Sequence, residues 1–178
     1  SMLETYKPML AASTLQQGGM PCETTAMMEQ VIMQEAKQYG KSIKGLESMG
    51  YQASVLDNIP YKLQADQLVS YIDNANKGDG EDKELTEMMN AYRSQNLQML
   101  EEMLMKSDPS ISNYTDILLY NRNENWIEKL KKLLPEKSIL IAVGAGHLPG
   151  KKGCINLLRQ AGFKVTPVKN TVNRLRDI

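Results

Sequence analysis

Cysteine is nearly absent from this chain of 178 residues, which holds only Cys22 and Cys154. Two thiols so far apart make neither a disulfide framework nor a C-x-x-C metal site. Long apolar runs are missing too: nothing approaches the roughly 18 consecutive residues of a membrane span. The residues after Ser1-Met2, which look like a tag remnant, show no secretory signal. Neither charge sign dominates, with 21 Lys and Arg against 21 Asp and Glu, which argues against nucleic acid or an acidic membrane as partner. Phenylalanine and tryptophan occur once each, whereas methionine occurs 12 times. On helical faces a thioether fills irregular gaps, so the methionines are expected mainly in the core. Histidine also occurs once, as His147.

That histidine sits in the most informative stretch. Ile139 to Val143 is a short β-branched apolar run, followed by Gly144-Ala145-Gly146-His147-Leu148-Pro149-Gly150 and then by helix-compatible residues from Cys154. The order strand, tight loop, helix is the arrangement that places sites at the carboxyl ends of strands in open α/β sheets. His147 reads either as a loop histidine satisfied by backbone or as a metal ligand or general acid/base.

The rest of the chain is mostly helical in pattern. Helices are expected over Tyr6–Gln17 and Thr24–Tyr39, the second closed by Gly40 at its C′ position. Lys41 to Glu47 reads as a strand that delivers Glu47, either a functional carboxylate or an exposed one capping the next turn. A helical middle follows over 48–134, in segments Gly50–Asn58, Tyr61–Asn76, Asp82–Lys106 and Tyr114–Leu134. Gly78 to Asp82 is calcium-loop-like in composition only and reads as a turn. The last segment carries Arg122, Asn123 and Trp126 at helical-neighbour spacing, with Arg122 open to a structural salt bridge or to anion binding. Cys154–Ala161 is a helix ending at Gly162, and Phe163–Val168 a final strand. Residues 138–168 thus read as strand, loop, helix, strand, a right-handed parallel crossover. The expected fold is a single α/β domain over 1–178, with a small, mostly parallel sheet and a large helical insert.

AVGAGHLPGKKGCINLLRQAGFKVTPV resembles, almost position for position, the C-terminal signature of the TraB/GumN family. GKSIKGLES, AYRSQNLQMLEEML and YNRNENWIEKL are similar to three further family segments, so the resemblance runs from about Tyr6 to Val168. It implies a TraB/GumN-like, Tiki- and erythromycin-esterase-like fold and a metal-dependent hydrolase, a peptidase in particular. Glu47, Arg122 and His147 would be its catalytic residues. Glu47 and His147 would bind a divalent metal (Mn, Co or Zn), and Asn123, Gly144 and Gly146 would contact substrate. A first G-x-x-H, present in the family, has no counterpart here. The chain therefore reads as the C-terminal part of a longer protein, incomplete at its N-terminus and inactive alone. Its expected partners are a peptide or small-molecule substrate, the missing N-terminal half, and a second copy paired through an open sheet edge. GumN-like members imply export to the periplasm or cell envelope. The alternative is a non-enzymatic peptide- or pheromone-binding regulator using the same cleft; a haem-handling protein with His147 as axial ligand is a third reading.

Overall fold

The computed structural model describes residues 6–18, 26–76, 83–106 and 113–168. Within them the chain is helical: α1 Pro8–Gly18, α2 Met28–Gln38, α3 Met49–Asp57, α4 Tyr61–Asn76, α5 Lys83–Arg93 and α6 Leu97–Lys106. A π-helical turn, Asp116–Tyr120, runs into α7 Asn121–Leu133; a 3-10 turn, Ala145–His147, precedes α8 Cys154–Gln160. The sequence accounts for many of the ends. Pro8 opens α1, where its missing N–H costs nothing. Ser48 caps α3 by accepting from the Tyr51 N–H at 3.1 Å, and Asn96 caps α6 through the Met99 N–H at 3.0 Å. Gly40 closes α2 as expected: at φ +61°, it donates to Lys37 O while Lys41 donates to Ala36 O, the paired bonds of a Schellman ending.

No sheet forms among the described residues, which overturns the expected α/β architecture with its small parallel sheet and right-handed crossover. The three strand candidates, 41–47, 139–143 and 163–168, enter no ladder, and the first ends in a bend at Leu46 and Glu47. The second and third nevertheless alternate in burial. Ile141 and Val143 turn inward while Leu140 is 76% exposed; Phe163 and Val165 are half-buried between exposed neighbours. The 139–143 segment lays Ile141 and Val143 against the α7–α8 core without pairing to another strand, whereas residues 41–45 are all exposed. Period-two patterning reports which face is covered, not what covers it.

Two further expectations change. The segment expected as one helix over 82–106 is two, α5 and α6, packed against each other. Its break is a Schellman ending with Gln95 in the left-handed position at φ 56°; Gln95 donates to Tyr92 O and Asn96 to Ala91 O. Among the described residues no methionine is buried, so they do not fill the core. Met27, Met28, Met33, Met49, Met88 and Met105 are exposed, and α2 buries none of its residues. Cys22, the expected helix start at Thr24, the Gly78–Asp82 turn and the tail after Val168 lie outside the described residues.

Packing separates into two regions. Helix α1 lies against α4, near Ala11, Val55 and Ile59, all buried. Gln64 of α4 donates to Leu56 O and Ile59 O, at 3.1 and 3.0 Å, and so ties down the α3–α4 turn. The second region holds the site. Trp126, Ile127 and Leu130 of α7 pack with Cys154 of α8, and Leu46, Ile141, Val143, Leu157 and Leu158 close around them. Burial pushes the Cys154 thiol up to about 11, so it is an inert core group rather than a nucleophile.

Candidate functional site

One end of α7 gathers side chains from three distant parts of the chain. Leu46, packed on the α7 core, brings Glu47 alongside it, and Lys129 of α7 donates its ammonium to Leu46 O. Glu47 then meets Arg122 from the first turn of α7. Arg122 Nη2 donates to Glu47 Oε1 at 2.6 Å, and Nε is shared between Oε1 and Oε2 at 3.2 Å each. The two side chains retain only 12% and 13% of their accessible surface. Arg122 Nη1 donates to Leu118 O at 2.7 Å, which ties the guanidinium to the π turn. Trp126 Nε1 adds a bond to Glu47 Oε2 at 3.2 Å. The Glu47 carboxylate is thus held from two sides, and two of the five Arg122 N–H donors remain unused by described residues.

The second half of the cluster is a fixed histidine. Asn123, wholly buried, donates through Nδ2 to Lys152 O at 2.8 Å and to His147 O at 3.4 Å. With its amide nitrogen committed to two carbonyls, its Oδ1 faces His147 Nδ1 at 2.7 Å. An oxygen can only accept, so Nδ1 carries the proton and Nε2 the lone pair. Nε2 has no partner among the described residues. The His147 ring lies against Trp126, centroids 4.5 Å apart, and Arg122 stands over the same indole at 5.1 Å. Burial, reinforced by the Arg122 charge and only partly opposed by Glu47, lowers the His147 pKa to about 4. At neutral pH the ring is an uncharged imidazole.

The loop carrying His147 is set by close approach. A Cβ at Gly153 would lie 1.9 Å from Pro149 O and 2.4 Å from Leu148 O, so only glycine lets the loop fold onto the start of α8. Gly144 and Gly146, the expected substrate contacts, are less constrained: a Cβ there would meet His147 Cδ2 at 3.7 Å and Leu104 Cδ1 at 3.6 Å, ordinary contacts. Lys152 fastens the loop to the π turn through Asp116 at 3.1 Å.

Every side chain singled out in the sequence therefore joins one cluster: Glu47, Arg122, Asn123, Trp126 and His147. Lys129 and Lys132 are not among the residues singled out in the sequence, since lysines near a helix C-terminus are ordinary. Their spacing of three and six from Trp126 places them along one side of α7, beside Leu46, Glu47, Ser48 and Tyr51. The cluster does not make a metal centre by itself. Among the described residues no three His, Cys, Asp or Glu side chains could hold an ion, and both Glu47 oxygens are already bonded.

A segment of 60 residues, 31% of this chain, is 40% identical to the metalloprotease TIKI1 of Xenopus tropicalis and covers 12% of that protein's length. No solved structure matches the chain. Residues 1–167 match the TraB/PrgY/gumN family, and the chain belongs to it.

Proposed function

We propose that this chain contributes the glutamate–arginine–histidine half of a metal-dependent peptide hydrolase. The observation that carries the reading is His147, held in one tautomer by a wholly buried asparagine with Nε2 left open. An imidazole of pKa about 4 is a weak proton acceptor at neutral pH but an uncharged donor at all physiological pH values. That suits a ligand better than a general base. A divalent metal would activate water and polarise the scissile carbonyl; its remaining ligands come from outside the described residues. Glu47 and Trp126 orient the Arg122 guanidinium, whose two unused N–H groups face the negative charge that develops on hydrolysis. The metalloprotease name of the Xenopus relative supports the same class.

The closed Glu47–Arg122 pair favours a second reading, a peptide-binding regulator without turnover. Peptide hydrolysis measured with Mn, Co or Zn separates the two. Turnover is expected to fall at least about a hundredfold in His147→Ala and Arg122→Met. Peptide binding without cleavage under any metal would leave the regulator.

A further inference from the structure

Beside the cluster runs a groove of about 530 Å³, within the range of small-ligand sites. Leu46, Tyr51 and Trp126 supply its apolar surface, Ser48 lies at the Glu47 end, and Lys129 and Lys132 follow along α7. The two carboxylates that also line it are neutralised from outside: Glu47 by Arg122 and Glu128 by Lys131 at 2.9 Å. Lys129 donates to a neutral carbonyl, and Lys132 forms no ion pair among the described residues. The groove is therefore an apolar trough with two uncompensated positive charges.

We propose that this groove binds the free C-terminal carboxylate of a peptide, with an apolar side chain two residues before the end against Trp126 and Tyr51 and the carboxylate at Lys132. The inference deepens the peptide-site reading above and rests on it. The register follows from the helix: Lys132 stands six residues beyond Trp126, about 9 Å along the axis. An extended peptide covers that distance in two to three residues, at about 3.3 Å each. A carboxylate at Lys132 then leaves the reacting bond two or three residues from the C-terminus, beside Glu47 and Trp126. Charge complementarity selects the end of a chain over its middle, because an internal peptide bond brings no negative charge to the lysines.

The test is fluorescence anisotropy with an N-terminally labelled Leu-Ala-Ala tripeptide, as the free acid and as the C-terminal amide. The free acid is expected to bind at least about threefold more tightly than the amide. This difference should vanish in Lys132→Gln and shrink as salt rises, while amide binding stays the same. Binding is read without turnover, so it stands apart from the hydrolase question, and His147→Ala should leave the acid–amide difference intact. Equal affinity for acid and amide, or an unchanged difference in Lys132→Gln, would overturn the proposal. So would an amidated peptide with an internal glutamate that binds as tightly as the free acid.

Discussion

At the scale of single residues, Asn123 does two jobs with one amide. Its nitrogen holds the main chain at His147 and Lys152, and its oxygen dictates which imidazole nitrogen carries the proton. A buried imidazole with a lowered pKa also makes stability depend on pH. Between about pH 4, the folded value, and 6.5, the ordinary one, the unfolded chain binds more protons at this position than the folded chain does. Stability therefore rises with pH through that window and is flat above it, by on the order of 2–3 kcal/mol. Urea unfolding at pH 4.5 and pH 7 should show a smaller difference in His147→Gln than in the parent. Identical pH dependence in both would show that the ring titrates in the folded state as it does in water.

At the scale of elements, three helices end in the same paired-bond motif but with different residues in the left-handed position. Gly40 and Gly162 adopt it at φ +61° and +90°, whereas Gln95 must do so with a side chain. Gln95→Gly is expected to stabilise the protein by about 0.5–1 kcal/mol, read as a higher urea midpoint with unchanged slope. A lower midpoint would mean that the Gln95 side chain contributes more than its backbone costs. Helix ends at glycine were legible in the sequence because the residue and the required conformation coincide. The α5–α6 break was not, because nothing in Arg93-Ser94-Gln95-Asn96 announces a positive φ. The sheet failed for a related reason. Ile141 and Val143 alternate with exposed neighbours as strand residues do, yet the surface they meet is the α7–α8 pair. The site was more legible than the fold, since Glu47, Arg122, Asn123, Trp126 and His147 carry chemistry that stays visible whatever encloses it. Lys132 was hidden because a lysine near a helix C-terminus is ordinary.

At the scale of the whole molecule, the described residues leave much apolar surface in water. Met27, Met28, Val31 and Met33 on or next to α2, Tyr61, Val69 and Ile72 on α4, and Leu140 beside the site are all 40% exposed or more. Exposed apolar surface cannot be exposed again on unfolding. The heat capacity change is therefore expected below the roughly 2.1–2.7 kcal/mol/K of a fully compact chain of this length. Calorimetry that gives the full value would show that these faces are covered in solution, by a second copy or by another segment.

The π turn before α7 has a consequence for how this chain tolerates length changes. Asp116–Tyr120 holds one residue more than an α-helical path would need, with the Asn121 N–H reaching back to Asp116 O. Removing one residue there would let a continuous α-helix form and rotate everything upstream by about 100° about the axis. Asp116 would swing away from Lys152, while Asn123, Trp126 and Leu130, anchored in the core, would keep their bearings. The turn acts as a slip joint, so insertions and deletions before residue 121 reorient the approach to α7 without shifting the phase of the reactive face.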